Sequence, residues 1–414
     1  MLLNIHRGTN EIGGTCIELL SGETRIILDL GLPLDSVLNS ERNPINQKIV
    51  EIANSSNGIL ISHSHLDHFG LIQAVSNEIP IWISKTSHKI IDINRIFQNK
   101  NITISNPCYF ENEKPFEIGN FTITPYLNDH SAFDSYSFLV EAEGKKLFYS
   151  GDFRNHGRKV SLFRKIITHP PKNIDYLLVE GTTIGRTQEN FVTEDDIKNS
   201  FIKIFKESQG INLIYTSSQN IDRIISVYKA CLSSRKALIL DVYTAEILDC
   251  LSEFSKLPTP LKGFSNLRVF YPEYLLRKLI KLGQNSLIEK YSKASISISE
   301  ISNKPSGFVM LVRPSMKVDL KKINLACGNL LYSMWNGYKE QPYTKEFLNW
   351  LVSKNIRIID VHTSGHASVR TLKRFADALN PSKIIPIHTQ HSSAYSNIFN
   401  QNILVLHDNE KFNL

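Results

Sequence analysis

The chain has 414 residues, 42% of them apolar and 21% charged, the balance of a globular protein long enough for two or three domains. Nowhere does an apolar run approach the ~20 residues that span a bilayer, and the start, MLLNIHRGTN, is no basic-then-apolar leader, so a membrane or exported protein is not expected and a cytoplasmic one is. A net charge of +7 is compatible with a polyanionic partner without demanding one. Five scattered cysteines, an odd number without a CxxC pair, argue against a disulfide framework and against thiolate zinc. Any metal must be held by histidine and carboxylate.

In chain order, short β-branched apolar runs recur at Arg25–Leu28, Gly58–Ile61, Lys146–Tyr149, Tyr176–Val179, Ile211–Tyr215, Ala237–Leu240, Phe308–Val312, Leu330–Tyr332, Ile356–Val361 and Lys383–Ile387. Several close on a polar cluster and lead into a helical pattern, which predicts an α/β chain. Helical periodicity is clearest over Asn220–Ser233, Thr244–Leu257 and Ser368–Leu379, where apolar residues return every three or four positions. From about 195 to 340 the strand–helix alternation is regular and predicts a parallel sheet of its own. The chemistry-bearing motifs lie before and after it, so one domain is expected to be inserted into another.

The first of those motifs follows the Gly58–Ile61 run: Ser62-His63-Ser64-His65-Leu66-Asp67-His68. On an extended segment His63 and His65 point to the same side, and Asp67 with His68 can open a helix, so four ligand-type side chains converge. A polar strand-to-helix turn with Asp67 as N-cap would use one of these groups and leave three imidazoles unexplained. Neutral imidazole and carboxylate at this spacing suit zinc.

At these residues the sequence resembles the metallo-β-lactamase superfamily, whose HxHxDH signature matches His63, His65, Asp67 and His68. Ile26-Ile27-Leu28-Asp29, Asn128-Asp129-His130-Ser131 and Tyr149-Ser150-Gly151-Asp152 resemble its other motifs in order. The resemblance implies two Zn2+ ions. His63, His65, His130 and Asp152 would hold one, and Asp67, His68 and Asp152 the other, with Asp29 orienting an imidazole. It also implies hydrolysis, with the two metals converting a shared water into the nucleophile.

Farther along, Asp175–Thr183, His362–Ala367 and Pro386–Thr389 resemble the motifs of the β-CASP nucleases, and the resemblance covers nearly the whole chain. It implies a metallo-β-lactamase αββα sandwich with an inserted parallel-sheet β-CASP domain: residues 1–194 and 343–414 in the first, 195–342 in the second. Glu180 and His366 would form a carboxylate–imidazole pair that protonates the departing ribose oxygen, and His388 would complete the second zinc shell. The Ser364-Gly365-His366 turn, before a helix, would receive a phosphate oxygen on its N–H groups. Arg158, in the basic loop Phe153–Lys159, and Arg223, after the Ile211–Tyr215 strand, are further phosphate-binding candidates. Trp335 and Tyr338 are open to either base stacking or packing.

The activity implied is phosphodiester cleavage, on single-stranded RNA before DNA because His388 stands where DNA-directed relatives carry an aliphatic residue. Bacterial ribonuclease J resembles the chain most through the β-CASP region, but its further C-terminal domain has no counterpart and its Gly-Glu after the last motif is Thr389-Gln390 here. Besides a DNA-directed β-CASP nuclease, two alternatives stay open: a small-molecule ester or thioester hydrolase on the same centre, and a non-catalytic nucleic-acid-binding scaffold. The first gives the inserted domain no role, and the second is at odds with seven intact ligand candidates. Nothing in the sequence selects an oligomer or a protein partner.

Overall fold

All ten apolar runs are strands, most of them within a residue or two of the expected limits. The structure, a computed structural model, describes residues 1–34, 43–98, 102–186 and 191–414. Of the three predicted helices, two stand nearly as read, Ile221–Ser233 and Val369–Leu379, while the third covers only Val242–Leu251. It stops early because Ser252 N–H and Oγ take up the last carbonyls, and Leu257 is disfavoured as helical by the proline that follows it.

The chain divides into two compact units. The first is Met1–Arg95, Lys100–Phe191 and Gly365–Leu414; the second is Ile96–Asn99 and Val192–Ser364.

Two seven-stranded sheets build the first unit. One runs, edge to edge, Lys411–Asn413, Leu2–Arg7, Cys16–Ser21, Thr24–Leu30, Gly58–Leu60, Ile81–Ile83 and Pro107–Tyr109. The other runs Asn402–Ile403, Lys383–Ile387, Tyr176–Glu180, Lys145–Tyr149, Ser135–Ala142, Phe121–Asn128 and Phe116–Ile118. Alternation within the strands sets the layers. Ile26 and Leu28 share one core with Leu147, Tyr149 and Leu178 of the opposite sheet. Ile27 and Leu30 turn the other way, onto Ile49 and Ala53 of the helix Pro44–Ala53. Phe148, Leu177 and Val179 likewise meet Phe163 of the helix Val160–Thr168 and Phe375 of Val369–Leu379. Helix, sheet, sheet, helix is therefore the layer order.

Thr24–Leu30 is parallel to Gly58–Leu60, and Lys145–Tyr149, Tyr176–Glu180 and Lys383–Ile387 are parallel to one another. Asp29 and Glu180 sit at the ends of their own strands, and the segments leaving the other three carry His63–His68, Asp152 and His388.

The second unit holds a wholly parallel six-stranded sheet in the order Leu267–Phe270, Ala237–Asp241, Phe308–Leu311, Asn212–Tyr215, Asn329–Tyr332 and Arg357–Asp360. The unit runs on past 342, where the sequence placed the chain's return. Phe347, Leu348 and Leu351 of the helix Pro342–Ser353 join this sheet's core, and Arg357–Asp360 pairs along Asn329–Tyr332.

Candidate metal centre

Asp29 lies at the bottom of the site, wholly buried and with φ of 57°, a left-handed conformation that a short acidic side chain tolerates better than most. Its carboxylate accepts from Ser62 N–H and Ser62 Oγ, both at 2.7 Å, and from the Tyr149 hydroxyl at 2.5 Å. It also accepts from His68 Nδ1 at 2.7 Å. Because Asp29 holds the Nδ1 proton, Nε2 is the nitrogen that His68 would turn to a metal. That atom is buried without a hydrogen-bond partner, 3.2 Å from Asp152 Oδ2 and 3.8 Å from Asp67 Oδ2. The helix Leu66–Phe69 presents Asp67 and His68, with His65 rather than Asp67 as its N-cap. Gly31 lets the chain pass there, since a Cβ on it would fall 1.7 Å from the Asp67 carbonyl oxygen.

The other imidazoles converge on the same space. His63 Nε2 is 3.1 Å and His130 Nε2 3.3 Å from His65 Nδ1, and both lie about one ligand span from Asp152 Oδ2, at 4.0 and 3.9 Å. His130 donates Nδ1–H to the Gly365 carbonyl at 2.7 Å, which leaves its Nε2 an acceptor. His388 holds φ of 50° and sets Nδ1 2.9 Å from Thr182 Oγ1 and Nε2 3.4 Å from Asp67 Oδ2. Three triads, His63–His65–His130, His63–His68–Asp152 and Asp67–His68–His388, each bring ligand atoms within 4.8 Å of one another.

The electrostatics match a cation site. Burial, reinforced by neighbouring histidines, holds His63 well below the ordinary imidazole value, and burial brings His65 down to about 4 and His130 well below normal. Against burial, His68 is raised by Asp152, Asp29 and Asp67. Asp67 and Asp152 are lowered against burial by the histidines around them. Neutral His63, His65 and His130 facing ionised Asp67 and Asp152 are the donor set that zinc takes, and His68 would join them by giving up its Nε2 proton. The residues present therefore fit a metal.

Beside this cluster, Glu180 is buried at the end of its strand. Its Oε2 lies 3.3 Å from His366 Nδ1 and accepts from Thr182 N–H at 3.1 Å, while Oε1 accepts from Ala367 N–H at 3.4 Å. His366 Nδ1 is also 3.6 Å from Asp152 Oδ2, with 22% of its side chain exposed. Glu180 and Asp152 raise the His366 pKa against the effect of burial. The seven metal-ligand candidates, the Glu180–His366 pair and Asp29 all belong to the first unit.

The phosphate-binding candidates fare differently. Gly365 lies under His130 with no room for a side chain, a Cβ there falling 2.6 Å from Ser131 Oγ. Ser364, buried, closes the second unit. The helix Val369–Leu379 has less N-terminal capacity than expected: Ser368 caps Thr371 N–H at 3.3 Å, and Ala367 N–H already serves Glu180. Arg158 is half-buried on the loop after Asp152.

Arg223 is a correction. It is fully buried inside the second unit, where its guanidinium meets Glu194 at 2.9 and 3.1 Å and bonds Ser333 Oγ, so it holds the fold and offers no face to a substrate. Arg154, of the basic loop, is likewise buried against Asp129 at 3.3 Å. Trp335, in edge contact with Tyr338 at 5.4 Å, is 51% exposed.

Sequence reasoning missed the supports. Tyr149 and Ser62 hold Asp29, and Thr182 holds His388. Their only sequence signal is a hydroxyl placed one to three residues from a ligand motif.

Two facing mixed sheets between helices, with a histidine–aspartate cluster at their strand ends, define a metallo-β-lactamase-type hydrolase fold. Residues 24–195 match the family model described as the beta-lactamase superfamily domain, and residues 352–396 match that of the Zn-dependent metallo-hydrolase RNA specificity domain. Residues 24–195 thus carry a metallo-β-lactamase domain, and the chain as a whole is similar to ribonuclease J-like proteins of the β-CASP kind.

Among its relatives, ribonuclease J of Helicobacter pylori is 22% identical over 405 residues, 93% of this chain and 55% of the relative. Ribonuclease J of Methanocaldococcus jannaschii is 24% identical over 415 residues, 92% and 89% of the two chains. The chain thus spans about half the length of the Helicobacter relative. A crystal structure of a protein of unknown function from Enterococcus faecalis V583 superposes with a TM-score of 0.81 at 18% identity, over 100% of this chain and 99% of that one, a likeness of fold.

Proposed function

We propose that this chain is a zinc-dependent ribonuclease that hydrolyses phosphodiester bonds, with single-stranded RNA its substrate before DNA. The observation that carries the reading is the Glu180–His366 pair, 3.3 Å apart, at the edge of the metal-type cluster. An ester with a good leaving group needs only a metal-activated nucleophile. A phosphodiester also needs a proton for its departing ribose oxygen, and that is what a carboxylate-held imidazolium supplies. The RNA specificity model over residues 352–396, which contains His366 and His388, supports RNA, as do the names of the relatives.

In this reading His63, His65, His130 and Asp152 hold one zinc, and Asp67, His68, Asp152 and His388 the other. Such ions supply Lewis acidity, acidifying water and neutralising charge on the phosphate. Asp29 keeps the His68 tautomer. Glu180 keeps His366 charged and aimed, and His366 gives its proton to the leaving oxygen. Residues 192–364 form the inserted β-CASP domain. A cytoplasmic location is proposed from five free cysteines and from the lack, among the described residues, of a helix long and apolar enough to cross a membrane.

The test is digestion of 5′-labelled RNA and DNA of one sequence at matched salt, with elemental analysis of the same preparation. About two zinc ions per chain and faster RNA cleavage are expected. His366→Ala should keep its zinc and melting temperature and lose ~10²–10⁴-fold in rate. Metal loss in that variant would make His366 a ligand, and hydrolysis of simple esters without RNA cleavage would defeat the nuclease reading.

A further inference from the structure

The turn that leaves Glu180 carries a cation that the motifs do not include. Through Gly181-Thr182-Thr183-Ile184-Gly185-Arg186 the backbone folds on itself, Ile184 N–H donating to the Gly181 carbonyl at 3.1 Å and Arg186 N–H to the Thr183 carbonyl at 3.2 Å. Residues of the site pin it from several sides. Thr182 Oγ1 is 2.9 Å from His388 Nδ1, Thr182 N–H donates to Glu180, and Thr183 Oγ1 donates to the Ala367 carbonyl, next to His366, at 2.6 Å. Ile184 is buried in the core. Gly185, at φ of +84°, lies so close to His391 that a Cβ would sit 2.4 Å from the ring nitrogen, a contact and a conformation only glycine accommodates. Arg186 therefore springs from a fixed backbone, and it is exposed.

The substrate of the proposed reaction brings a formal negative charge on its non-bridging phosphate oxygens, and of the cations expected to meet it Arg158 is half-buried on its loop while Arg223 is turned away. Arg223 is buried on Glu194 and Arg154 on Asp129, while Lys159 Nζ bonds the Phe133 carbonyl. Glu180 does not depend on a guanidinium for its place, since Thr182 N–H, Ala367 N–H and His366 already surround its oxygens. Arginine is permanently charged, and its planar fork fits two phosphate oxygens at once. We propose that Arg186 binds a backbone phosphate of the substrate beside His366, an inference that rests on the nuclease reading above. The field is consistent with that placement. The protein around Arg186 lowers its pKa and Glu180 raises it, while its charge works against protonation of His366, a penalty that a bound phosphate would relieve.

Equilibrium binding tests this without turnover. The wild-type chain with its metals, Arg186→Gln and Arg186→Lys are titrated against a fluorescent, slowly hydrolysed phosphorothioate single-stranded RNA across a salt series. Losing one phosphate contact should make the slope of log K against log salt shallower by about 0.7 in Arg186→Gln. A loss of roughly tenfold or more in affinity at low salt should accompany it. Arg186→Lys should restore the slope and only part of the affinity, because it keeps the charge and not the fork. Zinc content and melting temperature should be those of the wild type in both. An unchanged slope in Arg186→Gln, or a lysine variant no better than the glutamine one, overturns the assignment. A wild-type chain that binds RNA with the expected Arg186 dependence but never cleaves it defeats the nuclease reading alone.

Discussion

Two groups of histidines in this site titrate in opposite directions, and each gives a measurable consequence. His366 has its pKa raised by Glu180 and Asp152, so its acid form persists to higher pH than an ordinary imidazole's, and activity should fall as pH rises through that raised value. Glu180→Gln removes the nearer carboxylate, so the alkaline limb of the kcat–pH profile should move to lower pH; a limb that stays put would mean another group donates the proton. In the metal-stripped chain His63, His65 and His130 govern stability instead. Their folded values are depressed, so the unfolded chain binds protons first. Their contribution is complete above about 6.5, the ordinary histidine value, and is lost as pH falls toward the His65 value of about 4. His68 is raised, so its contribution is already complete in that window and does not offset the loss. The EDTA-treated protein should melt lower at pH 5 than at pH 7. An equal or higher melting temperature at pH 5 would mean that these imidazoles are not buried neutral.

Among the elements, Ile221–Ser233 separates what sequence can and cannot tell. Its apolar spacing was legible, and so was Arg223 as a cation just after a strand end; its direction was not. The residue that claims it, Glu194, lies on the neighbouring helix Glu194–Glu207, and no local pattern couples two positions so far apart. Arg223→Ala leaves Glu194 buried without its counter-charge and should cost about 3–5 kcal/mol in urea denaturation. A stable variant with weakened RNA binding would return Arg223 to the substrate. The site motifs were readable for the opposite reason. His63 to His68 are consecutive, and Asp29, Asp152, Glu180 and His388 each follow a β-branched run, so period-two alternation and strand ends located them. Strands such as Phe121–Asn128 and Ser135–Ala142 went unread because Pro125 and the serines of the second interrupt their apolar pattern. The end of the inserted unit was misjudged because Arg357–Asp360 is an edge strand whose partner, Asn329–Tyr332, is fixed only in three dimensions.

At the scale of the whole chain, the order of its segments matters as much as their contacts. Residues 365–414 supply His366, His388, the Gly365 carbonyl under His130, and the strand Lys383–Ile387 alongside Tyr176–Glu180. All of them are synthesised after the second unit, residues 192–364. On the ribosome, a growing chain that already displays His63–His68 still lacks the proton donor, one ligand candidate and an interior strand of the second sheet. In the proposed reading, no nascent chain short of residue 388 can hold a complete catalytic site, because His366 and His388 both lie beyond the second unit in chain order.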